Sequence, residues 1–291
     1  MTGRGAPAPG SPTAGSPRIR GPWTGRRWTG PVAATALALL LTGCSTPSTT
    51  TSEGASGVTE PEGGVPTTTA TLDVSAAASL RSVFSTIADE FEATHEGVDV
   101  RLSFAGSSTI VDQVLAGAPT DVVATADEAT MQRLVDAGDA NDPQLFANNS
   151  LTVVVPPGNP GDVTSLADLE STDLSTVVCA PEVPCGAATD AVADSAGLTI
   201  HRVSEEPSVT DVLAKVASGE ADAGIVYGTD AALAGDSVEV VDTPEAASIV
   251  NHYPIAAVTG TDDLALAGEF VAVVTGTDGR EALRAAGFGT P

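Results

Sequence analysis

The sequence predicts an α/β protein of two lobes, each a mostly parallel sheet flanked by helices, with the ligand site in the cleft between them. Three observations lead there. Segments with strand and helix patterning alternate along the chain, which predicts parallel strands joined by right-handed crossovers. The apolar fraction is 42%, mostly Ala, Val and Leu with only 3% aromatic residues, which suits helices packed on a buried sheet better than a β-sandwich. The length, 291 residues, exceeds that of one typical domain.

The N-terminus lies outside that body. Residues 1–43 carry five arginines and no acid, and the apolar run Val32 to Leu41 is too short to span a bilayer, so the segment reads as a signal peptide. Arg26 and Arg27 leave both the general secretory and the twin-arginine route open. The run ends in Leu41-Thr42-Gly43-Cys44, which resembles a bacterial lipobox with Cys44 as the acylated mature N-terminus; the alternative is a cysteine near an ordinary cleavage site. Residues 44–70 are rich in Ser, Thr, Gly, Pro and Glu and cannot bury enough surface to fold, so they are expected to form a disordered tether. Two acyl chains and a tether would hold a domain on the extracytoplasmic face of the cell membrane.

The elements follow in order. Leu72 to Ala76 reads as a strand. Leu80, Val83, Phe84, Ile87 and Phe91 recur at helical spacing, with Ser79 at the N-cap position. "VDVRLSF" alternates strictly from Val98 to Phe104 and enters "AGSST" before a helix carrying Ile110, Val111, Val114 and Leu115. "TDVVATAD" is a third strand, and Asp127 caps a helix with Met131, Leu134 and Val135. "LTVVVPPGNP" is a buried strand closed by a Pro/Gly loop. Then come "TVVC", a helix from about Ala187, a strand in "TIHRV", and a helix with Val209, Val212, Leu213 and Val216 on one face. A strand from Gly224 to Tyr227, the strands "VEVV" and "YPIAAV", and a helical stretch from Asp262 to Gly287 with a Leu266, Phe270, Val274 stripe complete the chain.

Charge narrows the function. The formal net charge is −26, and loss of residues 1–43 removes five of twelve basic and none of thirty-eight acidic residues, leaving −31. Lys215 is the single lysine, so nucleic acid is excluded as a partner. The acids are scattered along helix faces and read as solvated surface. With Cys44 assigned to lipid, Cys179 and Cys185 remain, separated by five residues that include two prolines. Outside the cytoplasm a disulfide is expected there rather than a metal site, since further ligands are missing nearby.

In two successive units a strand runs into a small hydroxyl-bearing turn, at Ser79 and at Ser107 and Ser108, where α/β folds place ligands and where helix N-termini present unpaired N–H groups. Each serine either caps its own helix or faces a ligand.

"AAASL", "SFAGSSTI", "AGAPTDVVATAD", "APEVPCG" and "GIVYGTD", in this order and spacing, resemble the periplasmic molybdate-binding proteins of molybdenum ABC transporters, from about Leu72 to Phe288. The resemblance implies the two-lobed periplasmic-binding-protein fold, with lobe 1 at 71–151 and 255–291 and lobe 2 at 152–254. Hinge crossings would fall near Ser150 to Val153 and Tyr253 to Ile255. It implies a molybdate or tungstate ligand, with sulfate or phosphate as alternatives, no cofactor and no direct metal-cation site. An ABC permease partner, a membrane held through the lipid anchor and a monomeric state are also expected. Carried over, the contacts are the hydroxyls of Ser79, Ser107 and Tyr227 and the backbone N–H groups of Cys185 and Val209. Gly106 stands where many members have serine, and Cys185 where some have alanine; neither change should remove a contact, and a bridge to Cys179 would stiffen the second loop. The match around Val209 is the weakest.

The chemistry agrees. A fully ionised oxyanion offers only acceptors, so hydroxyls, amides and helix dipoles suffice without lysine or arginine. Exposed acids are screened beyond about 8 Å at physiological salt, so the negative surface does not forbid a dianion. No Gly-x-Ser-x-Gly elbow, phosphate loop, His-Glu-x-x-His or GxGxxG after a strand is present, and a binder rather than an enzyme is expected.

Overall fold

The computed structural model describes residues 70–291; the leader, Cys44 and the tether lie outside it. Nine strands of the described residues form one curled sheet with flanking helices. In the first half, β1 (Ala70–Ala77) lies between β2 (Val98–Ala105) and β3 (Val122–Ala124), all parallel. Helix α1 (Arg81–Thr94) follows β1, α2 (Ser107–Leu115) follows β2 and α3 (Glu128–Ala137) follows β3. The strict alternation of β2 is that of an edge strand, with Asp99, Arg101 and Ser103 turned to solvent.

The long strand β4 (Gln144–Val155) carries the chain into the second half. There β5 (Thr176–Cys179) is parallel to both β6 (Ser204–Glu206) and β7 (Ala223–Tyr227). Helices α4 (Pro184–Ala196), α5 (Val209–Ala217) and α6 (Gly228–Ala234) follow these three strands in turn. After β8 (Glu239–Val241), strand β9 (Val250–Ala257) returns to the first half, antiparallel to β3 and β4, and α7 (Leu264–Thr275) and α8 (Thr277–Ala285) close the chain. Along β4, Gln144 to Ser150 pair with β9, whereas Leu151 to Val154 pair with β7. The sheet therefore changes partner between Ser150 and Leu151, and the second crossing is the segment 242–249 between β8 and β9.

Three local expectations shift. "TIHRV" is not a strand; pairing with β5 falls on Ser204 to Glu206, because Val203 N–H already bonds the Thr176 carbonyl and sets the register. Helix α4 starts at Pro184, not Ala187, since proline is preorganised for a first helical turn. The polar stretch preceding "LTVVV" belongs to β4, its Asn148 backbone bonding Gly289 and its Asn149 side chain bonding Thr229.

Few aromatics suffice because they meet in one place. Phe84 packs on Phe146 and Phe270, Phe146 on Tyr253, and Tyr253 on Phe288 and Tyr227, with ring centroids 5.7–6.3 Å apart. This chain of rings runs from the first-half core to the end of β7.

Helix α6 buries the carboxyl of Asp230, whose Oδ2 has no hydrogen-bond partner, and burial pushes its pKa up to about 7. In the unfolded chain the same group ionises near pH 4. The contribution of this group to stability is therefore greatest below that value, is lost as pH rises from about 4 to 7, and stays lost above. Asp230→Asn should raise the melting temperature little at pH 4.5 and clearly, by the equivalent of a few kcal/mol, at pH 8. An equal shift at both pH values would contradict this.

Candidate functional site

Five strand-to-helix transitions point their first helical turns at one place. β1 ends in a short 3-10 turn, Ala78–Leu80, that carries Ser79 into α1. Ser107 opens α2, Pro184 and Cys185 open α4, Val209 opens α5, and Tyr227 is the residue before α6. Ser79, Ser107, Cys185, Val209 and Tyr227, the five residues singled out in the sequence, all line one cavity of about 20 Å³, joined there by Gly106 and Ala126. That space holds a guest of a few atoms; organic ligands need roughly 300–1,000 Å³.

The serines do not cap. Ser79 lies inside the 3-10 turn, Ala77 and Leu80 occupy the N-cap positions of the turn and of α1, and neither makes a side-chain cap bond. Ser79 Oγ is instead 3.2 Å from Tyr253 Oη, and Ser107 Oγ accepts the Ala126 N–H at 3.0 Å. Its neighbour Ser108 donates to the Glu182 carbonyl in the opposite half at 2.5 Å. Helices α1, α2, α4 and α6 thus begin without side-chain caps, and the N–H groups of a first turn have no partner inside their own helix. Helix α5 differs: Ser208 caps it and donates to Asp211 Oδ2 at 2.5 Å, so Ser208 lines the cavity with its hydroxyl already committed to Asp211.

No charged side chain lines the cavity. Lys215 is engaged elsewhere, paired with Glu206 and Ser204. Burial, with the nearby negative groups adding to it, pushes the Tyr227 phenol well above its ordinary value, and burial does the same for Tyr253, so both remain protonated donors. What remains is a small enclosure of hydroxyls, amides and helix dipoles, able to receive a small anion by hydrogen bonding alone. Larger grooves exist, one of about 580 Å³ between α1 and α8, but Glu90, Asp278 and Glu281 line it beside Ser82 and Thr86, which does not suit an anion.

Loop chemistry fixes the walls. Cys179 and Cys185 form a disulfide that closes the 180–184 loop onto the start of α4. Gly186 follows because a Cβ there would lie 1.8 Å from the Ala180 carbonyl oxygen. Sequence reasoning missed Asn251 and Tyr253, both on β9. The available signal was an asparagine at a position that strand alternation turns inward, where a polar group needs a partner.

The two halves touch at Gly106, where a Cβ would lie 2.0 Å from the Pro207 carbonyl oxygen. A serine at 106 forces that loop outward. Gly106→Ser should weaken anion binding by about tenfold, within the ~1–3 kcal/mol cost of overpacking, and leave the melting temperature of the anion-free protein within a degree or two. Unchanged affinity in calorimetry would show that the contact does not limit closure.

Comparison with known proteins agrees with this architecture. Residues 72–289 match the family described as bacterial extracellular solute-binding protein. The molybdate-binding protein ModA of Mycobacterium tuberculosis is 48% identical over 219 residues, 75% of this chain and 84% of that protein. ModA of Escherichia coli is 36% identical over 229 residues, 75% of this chain and 88% of its own. The periplasmic molybdate-binding protein of Azotobacter vinelandii shares the fold with a TM-score of 0.63 at 23% identity, over 76% of this chain and 99% of that one. The chain belongs to the bacterial extracellular solute-binding proteins, alongside the molybdate-binding members of that family.

Proposed function

We propose that this protein captures molybdate outside the cytoplasm and delivers it to an ABC permease. The observation that carries the reading is the uncharged cavity at the convergent helix starts, in a chain 48% identical to a molybdate-binding protein. A tetrahedral dianion presents four acceptor oxygens and no donor, and the hydroxyls of Ser79, Ser107 and Tyr227 with the N–H groups of Cys185 and Val209 are matched to it. Tungstate, of the same charge and shape, is accepted as well. Charge-assisted hydrogen bonds of about 1.5–3 kcal/mol each, five in number, supply the roughly 8–11 kcal/mol of a micromolar to ten-nanomolar site after closure takes its share.

Capture works by closure. The two halves act as lobes hinged at Ser150/Leu151 of β4 and at the 242–249 segment, and the closed form is what the permease recognises. Acylated Cys44 and the tether that follows hold a monomeric binding domain on the extracytoplasmic face of the membrane. No step of this function requires a bond to be broken.

Titration calorimetry of the purified protein with molybdate, tungstate, sulfate and phosphate in parallel tests the reading. Molybdate and tungstate should bind at micromolar or tighter, and Ser79→Ala or Ser107→Ala should each weaken them by about tenfold to a few hundredfold. Preference for sulfate would move the protein to another oxyanion of the same class. Unchanged affinity in both variants would remove the site assignment.

A further inference from the structure

We propose that Asp230, on α6, is a proton-binding site coupled to the anion site, so that capture of a dianion draws a proton from solution onto its carboxyl. The inference rests on the anion-binding reading above. It starts from a second enclosure, of about 320 Å³, that shares Ser79 with the first. Ser82 and Val83 of α1, Thr229 and Asp230 of α6, and Phe288 near the end of the chain also line it, so both halves build it. Asp230 is its one charged lining residue. The residue is 4% exposed, and its Oδ2 has no hydrogen-bond partner among the described residues.

No cation offsets this group. Strand β4, on which α6 packs, has no titratable residue, and β7 has only Tyr227. On β9, Tyr253 is buried and His252 is exposed. On α5, Lys215 is paired with Glu206, and Asp211 accepts from Ser208. Asp236, just after α6, is exposed. Arg81, Asp89, Glu90 and Glu92 of α1 and Asp278, Arg280, Glu281 and Arg284 of α8 do not line the cavity, and Arg81 sits over the Phe104 ring. Burial alone accounts for the raised pKa of Asp230, about 7. Its charge, in turn, helps to raise the phenols of both Tyr227 and Tyr253. Tyr227 lines the anion cavity and Tyr253 is bonded to Ser79, so the charge of Asp230 reaches the hydroxyls that face the guest.

Exposed acids are screened by water and salt, but a buried carboxylate is not. Once ionised, Asp230 repels a dianion held in the neighbouring cavity; protonated, it does not. The coupling is reciprocal, so the dianion raises the pKa of Asp230 by the same free energy with which the carboxylate weakens the dianion. The sign follows. Below about pH 7 the carboxyl already holds its proton and the anion binds with full affinity. Above it, each captured anion brings a proton with it, and affinity falls until the occupied form ionises too. One proton is exchanged at most, so the fall is no steeper than about tenfold per pH unit.

The experiment is calorimetry with molybdate from pH 6.5 to 8.5 at fixed salt, repeated at pH 7.5 in buffers of different ionisation enthalpy to count protons. Wild-type affinity should fall across that range by about five- to a hundredfold, and binding at pH 7.5 should take up a fraction of a proton. Asp230→Asn imitates the protonated carboxyl at every pH. It should hold the affinity of pH 6.5 up to pH 8.5 and lose the proton uptake. The proton count on the wild type needs no variant, so it decides the matter even if Asp230→Asn does not fold. Zero uptake with an affinity independent of pH overturns the proposal, as does a pH dependence that survives unchanged in Asp230→Asn. Failure of the wild type to bind molybdate at any pH would instead overturn the underlying assignment of the site.

Discussion

The structure depends on a convergence of helix starts. Each uncapped first turn leaves N–H groups without partners and a partial positive charge at its end, and four such turns face one small enclosure. In most proteins those groups would be satisfied by Ser, Thr, Asp or Asn caps. Here the hydroxyls that could cap are turned elsewhere, Ser79 toward Tyr253 and Ser107 toward Ala126, so the amides and hydroxyls stay open to a guest that accepts. The arrangement also explains how a protein with a net charge of −26 can receive an anion. The donors act at contact, inside a wall free of charged side chains, while the acids, buried Asp230 and Glu206 apart, sit on a screened surface.

Much of the remaining architecture serves that convergence. Parallel strands in each half carry all their following helices to one edge, and the antiparallel strands β4 and β9 set the two edges face to face. Close backbone approach does the rest. Gly106 lets α2 meet the Pro207 carbonyl, and the Cys179–Cys185 bridge with Gly186 draws α4 against the strand it follows. The aromatic chain from Phe84 to Tyr227 gives the closed cleft an incompressible floor.

How far this was legible in the sequence follows from which signals are local. Helical and strand periodicities are local, and they placed β1, β2, β5, β7, α1, α5 and the α7 stripe within a few residues. What sequence reads poorly is polarity satisfied at long range. The strand predicted at "LTVVV" does not reach back over "QLFANNS", where Asn149 bonds Thr229, and "TIHRV" looks like a strand until β5 takes the next three residues. Ser79 has the sequence position of a cap, and only the 3-10 turn ahead of α1 shows that it is none. For the site, the hydroxyl turns suggested Ser79 and Ser107, whereas Cys185, Val209 and Tyr227 came from family resemblance. Their meeting around one cavity is a tertiary fact that no local pattern encodes, and the same is true of Asn251, whose partners lie 24 to 125 residues away.

The most direct measurement is a crystal structure of the protein grown with molybdate, with the molybdenum located by its anomalous scattering. The account predicts a single strong peak between the two halves, its oxygens within hydrogen-bond distance of the hydroxyls of Ser79, Ser107 and Tyr227 and the amides of Cys185 and Val209. A peak outside that cavity, or one held by lysine or arginine side chains, would contradict it.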